Sequence, residues 1–222
     1  MDLKRLEAFC SEKGMPLAPE QVQAFESFAS ALYRLNEVMN LTRVPRDECE
    51  IRHFIDSLLI TEFIPTGSAV LDVGTGTGLP AWPLACARPD LRVTAIDSSA
   101  KALLVLQETP LPNLTFRQER GESLGARESF DFVTGRAVAP LAVQLEISAA
   151  WAKIGGVVVP FRTPNESFDL DPIRLGLVLE RVEQRPLPHT DAIRAFPIYL
   201  KAEETPMLFP RTWAQIKKRP IG

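Results

Sequence analysis

The sequence predicts an α/β protein in which a mostly parallel sheet of seven strands follows an N-terminal helical extension. Two observations predict this fold. Apolar residues recur at helical spacing within residues 1–65, and beyond them short apolar strands alternate with helical stretches. Such alternation is typical of a parallel sheet built from strand–helix–strand units. We therefore expect three segments: a helical extension packed on the core at 1–65, the sheet domain at 66–204 and a basic tail at 205–222.

The helical extension is predicted to contain two amphipathic helices. Pro19 suits the first turn of a helix that ends near Asn40. Its buried face would carry Val22, Phe25, Phe28, Leu32 and Leu35. Asp47 is expected to begin the second helix, with Glu50 as its capping-box partner, and residues 65–67 to end it. The buried face of this second helix would carry Ile51, Phe54, Ile55, Leu58, Leu59 and Phe63.

The strands of the sheet are predicted from short apolar runs. Five runs are regular, at 69–73, 92–96, 114–118, 130–134 and 156–161, and two less regular ones lie at 175–183 and 196–201. Residues 163–172 carry no regular pattern, so we expect an irregular loop there.

The composition excludes several classes of protein. A hydrophobic content of 45% is ordinary for a globular chain, and no apolar run approaches the roughly 18 residues of a membrane helix. The N-terminal residues are charged and lack the apolar core of a secretion signal. Cys10, Cys49 and Cys86 share no close spacing, so we expect neither a disulfide framework nor a metal site. These features predict a cytoplasmic protein.

The strongest local signal is a glycine-rich turn after the first predicted strand. Asp72 precedes Gly74, Gly76 and Gly78, and Pro80 opens the next helix. Glycines let the backbone turn sharply and approach a ligand. An acid before the turn opposes a pyrophosphate but suits a cation, such as the sulfonium and amine of S-adenosylmethionine. We therefore expect Asp72 and the three glycines to bind that cofactor.

Two further positions fit an adenosine-binding site. Asp97 follows the second strand, where a carboxylate can accept hydrogen bonds from both ribose hydroxyls. The alternative is a helix N-cap, since Ser98 and Ser99 follow. Gly121 and Glu122 follow the third strand, beside the expected adenine, although they could equally belong to an exposed loop.

The end of the fourth strand indicates the kind of chemistry. Arg136 lies there and could hold a methionine carboxylate or an RNA phosphate. The chain has no Asn/Asp-Pro-Pro-aromatic motif and no Pro-Cys nucleophile. A nucleophile that needs no deprotonation fits these absences, and guanine N7 is one. Transfer to it is mainly a matter of positioning, so we expect no catalytic acid or base.

Two side chains of the second predicted helix could meet on one face. His53 and Asp56 are three residues apart. We favour a polar contact that docks the helix on the sheet domain over a direct catalytic role, because transfer to N7 needs no histidine base.

The tail beyond Thr205 is basic although the whole chain carries a net charge of −3. Its cations are Arg211, Lys217, Lys218 and Arg219, and it contains no acidic residue. A solvated chain end is one interpretation, and an RNA contact is the other. Trp213, within the tail, favours the second.

Several motifs occur together in one order along the chain. They are Asn40-Leu41-Thr42, Arg52-His53-Phe54-Ile55-Asp56-Ser57, the segment from Leu71 to Pro80, Asp97-Ser98 with Lys101, and Arg136-Ala137. As a set they resemble the ribosomal RNA small subunit methyltransferase G family, also called the glucose-inhibited division protein B family. The resemblance is clear over 21–161 and looser in the tail from Pro210.

The resemblance implies a class I S-adenosylmethionine-dependent methyltransferase fold, which is Rossmann-like. It implies methylation of N7 of one guanine in the 530 loop of 16S ribosomal RNA. We expect the protein to be a monomer whose partner is 16S ribosomal RNA or the small ribosomal subunit. The resemblance also implies contacts to the methyl donor from Gly74, Leu79, Gly121, Glu122 and Arg136. The RNA-binding surface would comprise Lys101, Arg136, Arg162, Arg211, Lys217, Lys218 and Arg219.

The chain departs from the family pattern at two places. Arg162-Thr163 stands where the family usually has lysine followed by glycine, and Ala102 stands where a second basic residue usually follows the lysine. Both changes concern the expected RNA surface rather than the cofactor site.

Two other functions share parts of this pattern. A nicotinamide-dependent dehydrogenase would use the same glycine turn, but the acid at Asp72 and the lack of an evident hydride-transfer pair oppose it. An RNA-binding module that keeps a cofactor pocket without turnover is the non-enzymatic alternative.

Overall fold

A computed structural model of the chain describes residues 2–168, 170 and 172–221. Met1, Asp169, Asp171 and Gly222 lie outside this description; the two aspartates belong to the loop predicted at 163–172. Among the described residues, one sheet comprises β1 Ala69–Val73, β2 Arg92–Asp97, β3 Leu114–Gln118, β4 Phe130–Arg136, β5 Ala152–Phe161, β6 Leu177–Pro186 and β7 Ile193–Lys201.

The sheet is mostly parallel, as predicted. Its strands lie in the order β3-β2-β1-β4-β5-β7-β6. The strands β1 to β5 are parallel to one another, and β7 runs antiparallel to both of its neighbours, β5 and β6. The carboxyl ends of β1 to β5 therefore share one edge. Ligands of open α/β sheets bind at this edge, next to the point where the strand order reverses. Here that point lies between β1 and β4.

The predicted strand boundaries hold best in the first half of the sheet. The bounds of β1 and β3 are as predicted, and β2 and β4 extend one and two residues further. β5 begins four residues before the predicted 156, where Ala152 pairs with Phe130 across a register shift. β7 begins three residues before the predicted 196, because its pairing with β6 starts at Ile193.

Two helices of the N-terminal extension precede the sheet. They are α1 Lys4–Glu12 and α2 Pro19–Met39. α2 matches the predicted helix: Pro19 begins it, and Asn40 ends it in the left-handed conformation at φ 52°. Its buried face includes Phe25, Phe28, Leu32 and Leu35.

The second predicted helix is not one continuous α-helix. The chain passes through a 3₁₀ turn Arg46–Glu48, a π-helical segment Glu50–Ile55, one α-turn, α3 Asp56–Leu58, and a second 3₁₀ turn Thr61–Phe63. The capping box predicted for Asp47 and Glu50 is wrong. Glu50 is buried, and its Oε1 accepts a hydrogen bond of 2.9 Å from the backbone N–H of Leu6. The carboxylate thus joins α1 to the π-helical segment.

The N-terminal extension shares one hydrophobic core with the sheet. Four aromatic rings form its centre: Phe28 and Trp82 lie 4.5 Å apart between centroids, and Phe25 packs edge-on against Phe54 at 4.8 Å. Trp82 belongs to α4 Ala81–Ala87, which follows β1. The extension is thereby packed on the sheet, while the division of the chain at 65 and 204 stays a prediction.

The remaining helices flank the sheet and its carboxyl edge. They are α5 Leu104–Glu108, α6 Leu141–Ala149 and α7 Trp213–Lys218. α6 is buried on all sides and carries a second core cluster on the opposite face of the sheet.

The C-terminal segment, residues 205–221, is folded onto this second cluster. Phe209 and Ile216 are buried in it. Arg211 reaches the fully buried carboxylate of Glu146 on α6, with hydrogen bonds of 2.7 and 2.6 Å from Nε and Nη2. Arg127 donates to the carbonyl oxygens of Thr205 and, at 2.8 Å, of Phe209. The interpretation of this segment as a solvated chain end is therefore wrong for its first part.

The outer edge of the sheet is charged. On β6, the guanidinium groups of Arg181 and Arg185 lie 3.0 and 2.9 Å from the Glu183 carboxylate. Arg185 also pairs with Glu62 of the extension.

The described residues contain no helix that is long and apolar enough to cross a membrane. They also contain no group of three or more His, Cys, Asp or Glu residues that could hold a metal ion. Cys10, Cys49 and Cys86 are all free and buried.

Candidate active site

A cavity of about 640 Å³ opens at the carboxyl edge of the sheet. Its walls come from the segments that follow β1, β2, β3 and β4, closed by residues 41–43 of the extension and by Trp213 of α7. Volumes of this size are typical of sites for small molecules and cofactors. Of the predicted cofactor-binding residues, seven line it: Gly74, Gly76, Leu79, Asp97, Gly121, Glu122 and Arg136.

The glycine turn after β1 forms the floor of the cavity. The backbone N–H groups of Gly74 and Thr75 both donate to the Ile96 carbonyl oxygen, at 2.8 and 2.9 Å. A side chain at Gly74 would meet Val138 at 2.8 Å, and φ there is 70°. The turn is thus held against the end of β2, with its backbone facing the cavity.

Two predicted cofactor residues lie behind this floor rather than on it. Asp72 is fully buried and is not among the residues that line the cavity. Its Oδ2 accepts hydrogen bonds from Thr75 Oγ1 at 2.6 Å and from the backbone N–H of Ala81 at 3.1 Å. The Asp72 side chain thus supports the turn and the start of α4 from behind, and its predicted contact with the cationic cofactor stays a prediction.

Gly78 is the second of these residues. A Cβ there would lie 2.3 Å from Leu106 Cδ2, at φ 103°. This glycine permits close packing of the turn against α5 and makes no wall of the cavity.

Burial also changes the ionisation of Asp72. The absence of solvent raises the pKa of its carboxyl to about 7, against the opposing effect of the hydrogen bonds from Thr75 and Ala81. Its Oδ1 has no hydrogen-bond partner among the described residues. Burial thus favours the protonated form of this carboxyl towards neutral pH.

The sequence left open whether Asp97 is a ribose-binding carboxylate or a helix N-cap, and its two carboxylate oxygens have different partners. Its Oδ1 accepts a hydrogen bond of 2.8 Å from the backbone N–H of Ser99, as a turn-capping residue would. Its Oδ2 accepts one of 2.8 Å from Gly76, and the residue lines the cavity. The helix does not start directly after it, since α5 begins only at Leu104. Asp97 thus presents a fixed, half-buried carboxylate beside the glycine turn.

The loop after β3 forms the far wall. Arg120 Nε lies 2.7 Å from Glu122 Oε1, and the Arg120 guanidinium lies 5.2 Å from the centre of the Trp213 ring. The Gly121 carbonyl oxygen accepts a hydrogen bond of 2.8 Å from the indole N–H of Trp151. Gly121 is buried and Trp151 holds its carbonyl oxygen, so the alternative of an exposed loop does not apply to this residue.

A polar cluster joins the extension to the end of β4, as the docking interpretation of His53 and Asp56 predicts. Asp56 is 2% exposed; its Oδ2 accepts a hydrogen bond of 2.9 Å from Arg136 and its Oδ1 one of 2.7 Å from Arg194 of β7. One buried carboxylate thus fixes two guanidinium groups from different strands.

His53 completes the cluster as a neutral imidazole. Burial, with the neighbouring Arg136 charge as a second cause, lowers the pKa of His53 to about 3. Its Nδ1 lies 3.5 Å from Arg136 Nη2, and because a guanidinium only donates, Nδ1 is the acceptor. The ring proton is then on Nε2, 2.9 Å from Thr42 Oγ1.

A second cavity, of about 390 Å³, adjoins the first. The two share His53, Arg136 and Ala137 as a common wall. The second cavity is further lined by Arg52, Asp56, Phe161, Arg162, Thr163, Glu166 and Arg194.

The predicted RNA-binding residues fall into two groups. Lys101, Lys217, Lys218 and Arg219 are exposed. Arg136, Arg162 and Arg211 have protein partners instead: Arg136 pairs with Asp56, Arg162 is 8% exposed and donates to Gln144, and Arg211 holds Glu146. Arg162 and Arg211 are therefore not free surface charges, which corrects the expectation that they belong to a phosphate-binding surface, whereas Arg136 lines both cavities.

Three site residues were not predicted from the sequence. Arg194 enters through β7, far along the chain, and no local motif marks it. Arg43, exposed on the rim of the first cavity, follows the Asn40-Leu41-Thr42 motif directly, which could have indicated it. Trp213 was noted only as an unusual residue of the tail.

Comparison with known proteins decides the family. The family model described as rRNA small subunit methyltransferase G matches residues 21–192. The chain belongs to this family. It is 34% identical to the ribosomal RNA small subunit methyltransferase G of Carboxydothermus hydrogenoformans, over 98% of this chain and 99% of that one. It is 36% identical to the protein of the same name from Lachnoclostridium phytofermentans, over 94% and 93%.

The fold also recurs in solved structures. A TehB-like SAM-dependent methyltransferase from Corynebacterium glutamicum has a TM-score of 0.55 at 17% identity, covering 78% of this chain and 98% of that one. The predicted class I methyltransferase fold is thereby confirmed, and the methyl donor of the methyltransferase G family is S-adenosylmethionine. Family membership gives no support to a nicotinamide-dependent dehydrogenase or to a non-catalytic module.

The first cavity fits this donor. Bound there, S-adenosylmethionine supplies a methyl group on a positively charged sulfur. The Asp97 carboxylate can accept hydrogen bonds from the ribose hydroxyls, and the turn at Gly74 and Gly76 leaves room for the donor against the backbone. Gly121 and Glu122 lie one strand further, where the adenine would follow the ribose.

Substitution of Asp97 by alanine is expected to weaken binding of S-adenosylhomocysteine roughly 10- to 100-fold, because a charged hydrogen bond contributes about 1.5–3 kcal/mol. Isothermal titration calorimetry measures the Kd. Asp90→Ala, on a loop outside the cavity, is the control and should bind like the parent protein. Equal affinity of Asp97→Ala and the parent would exclude Asp97 from the donor site.

The raised pKa of Asp72 makes the stability of the protein depend on pH. The unfolded carboxyl ionises near its ordinary value of 3.8 and the folded one near 7, so the folded state binds the extra proton between these values. The contribution of the Asp72 carboxyl to the free energy of unfolding is therefore full below pH 3.8 and is lost as the pH rises through 7. Asp72→Asn cannot titrate. The free energy of unfolding of this variant relative to that of the parent should therefore be higher at pH 8 than at pH 5, by on the order of 2 kcal/mol.

Urea denaturation at the two pH values measures this difference. Asp90→Asn is the matched control: the Arg88 guanidinium lowers the pKa of Asp90 to about 2, so its effect on stability should be the same at pH 5 and 8. An Asp72→Asn effect that did not change with pH would show that this carboxyl is already ionised at pH 5.

Proposed function

We propose that this protein transfers the methyl group of S-adenosylmethionine to N7 of a guanine in small-subunit ribosomal RNA. The observation that carries the proposal is the second cavity, which shares His53, Arg136 and Ala137 with the donor cavity. A base in the second cavity would reach the donor beside these shared residues, where the two cavities meet. Its volume of about 390 Å³ has room for a purine.

The charges of the second cavity suit a nucleotide of RNA. Arg136, Arg162 and Arg194 line it, against the carboxylates of Asp56 and Glu166. Since Asp56 pairs with two guanidinium groups, cationic charge remains in excess along the wall. Arg136 and Arg194, which Asp56 holds in place, can bind a phosphate with little further loss of side-chain freedom.

Guanine N7 is a nucleophile that needs no base from the common wall. The N7 lone pair of guanine is free, so no side chain has to remove a proton before transfer. The new N–C bond forms as the methyl–sulfur bond breaks, and the positive charge passes from sulfur to the guanine ring. His53 is neutral and therefore does not repel that charge. The chain's part is to align donor and acceptor.

The exposed cations next to the two cavities are the proposed RNA-binding surface. Lys217, Lys218 and Arg219 lie on and directly after α7, and Lys101 follows Asp97. Arg43 adds a charge on the rim of the donor cavity. Such contacts position the RNA, whereas the second cavity selects the base.

The direct test is methylation of unmodified small-subunit RNA, both free and within the small ribosomal subunit, with radiolabelled S-adenosylmethionine. The label is expected at a guanine of the 530 loop, and because N7-methylguanine is cationic, its site can be mapped by reduction and strand scission. Label at an exocyclic amine or on a pyrimidine would contradict the proposal.

Neutralisation of the exposed tail should weaken RNA binding without changing donor binding. Each phosphate contact removed lowers the slope of log K against log salt by about 0.7–0.9. The triple change Lys217→Ala, Lys218→Ala and Arg219→Ala should therefore lower the slope by about 2 and leave the Kd of S-adenosylhomocysteine as it was. Filter binding at several salt concentrations measures the slope.

The matched control removes three exposed cations of the N-terminal end, with the changes Lys4→Ala, Arg5→Ala and Lys13→Ala. These side chains line neither cavity, so the salt dependence should not change. An equal decrease of the slope in both triple variants would show that the tail contributes only net charge and makes no contact with RNA of its own.

A further inference from the structure

The C-terminal helix contributes a wall of the donor cavity. Trp213, the first residue of α7, lines it although it lies 77 residues after Arg136, the last residue of β4. The other two indoles belong to the cores: Trp82 and Trp151 are 1% and 3% exposed and do not line the cavity. Trp213 is thus the indole that the cavity presents to a ligand.

The position of Trp213 along the cavity identifies the part of the donor that it faces. The glycine turn follows β1, Asp97 follows β2 and Arg120 follows β3, so these segments lie in spatial order along the carboxyl edge. A ribose on Asp97 places the adenine towards the segment after β3. Trp213 lies there, with the Arg120 guanidinium 5.2 Å from its ring.

The C-terminal segment is firmly docked around this tryptophan. Ile216, one turn further on α7, is fully buried in the core cluster of α6, and Trp213 packs against the same cluster. Arg211, two residues before it, holds the buried Glu146 carboxylate. The indole is therefore held in place from both sides along the chain.

We propose that the adenine of the methyl donor packs against Trp213, so that donor binding and docking of the C-terminal segment stabilise each other. Because Lys217, Lys218 and Arg219 belong to the same segment, donor binding also stabilises the docked position of the basic surface that contacts RNA. This last consequence rests on the proposed function. Trp213 acts as a binding residue for the donor and as a positioning residue for the RNA.

The coupling between donor binding and RNA binding can be measured from the side of either ligand. Linkage requires that if the donor strengthens RNA binding, RNA strengthens donor binding by the same factor. Without the indole, the two binding events should become independent.

The test begins with tryptophan fluorescence of the full chain titrated with S-adenosylhomocysteine. The signal should be quenched on binding, and Trp213→Phe should lose most of the quenching while it keeps a Kd near that of the parent, because phenylalanine still offers a stacking surface. Trp213→Ala should raise the Kd roughly tenfold, since stacking of a base on an aromatic ring contributes on this order.

A second variant separates the loss of the ring from the undocking of the helix. Ile216→Ala leaves Trp213 in place but removes a buried anchor of α7, so it should also raise the Kd for S-adenosylhomocysteine if docking and donor binding are coupled. RNA affinity is then measured with and without S-adenosylhomocysteine. The parent should bind RNA at least about fivefold more tightly with it, and Trp213→Ala should show no difference.

The outcomes distinguish the two proposals. If the parent binds S-adenosylhomocysteine and methylates RNA, but Trp213→Ala has an unchanged Kd and the parent shows no quenching, the inference about Trp213 is overturned and the proposed function stands. If the parent takes up no S-adenosylhomocysteine, the proposed function itself fails.

Discussion

The arrangement of the two cavities depends on one buried carboxylate. Asp56 is brought by the N-terminal extension to the carboxyl edge of the sheet, where it meets Arg136 at the end of β4 and Arg194 on β7. A buried charge is tolerated only when it is paired and hydrogen-bonded, and removal of one partner from such a cluster is strongly destabilising. The ion pairs therefore set the position of the extension and of both guanidinium groups together. The wall between the cavities exists because this carboxylate is there.

Much of the architecture follows from local patterns in the sequence. The apolar runs identify all seven strands, and the spacing of Phe25, Phe28, Leu32 and Leu35 identifies α2. The predicted boundaries and contacts are wrong where a residue distant in the sequence determines the local structure. β5 and β7 start early because neighbouring strands pair with their first residues, and Glu50 leaves the predicted capping box because the Leu6 amide takes its carboxylate.

Of the nine residues predicted for the cofactor site, seven line the cavity, and Asp72 and Gly78 do not. Asp97, Gly121, Glu122 and Arg136 line the cavity because strand ends on one edge of a parallel sheet converge. Asp72 does not, and the two-residue alternation of a strand could have indicated it: its neighbour Val73 lines the cavity, and adjacent side chains point to opposite faces.

The basic residues show the limit of charge counting. Arg162 and Arg211 are indistinguishable in the sequence from surface cations, yet Gln144 and Glu146 of the buried helix α6 hold them. Only the fold brings these partners within reach. Trp213 shows the opposite. It lies near the end of the chain, yet it contacts Arg120 and lines the donor cavity.

The charged rim of the sheet has a consequence for how the molecule behaves in a crowded solution. β6 offers unpaired backbone groups along its outer side, and an apolar strand in that position would invite a second sheet to anneal to it. The alternation of Glu180, Arg181, Glu183 and Arg185 places charges of both signs along this border. A strand from another chain would have to remove water from these groups before it could pair, which disfavours association at this edge of the sheet.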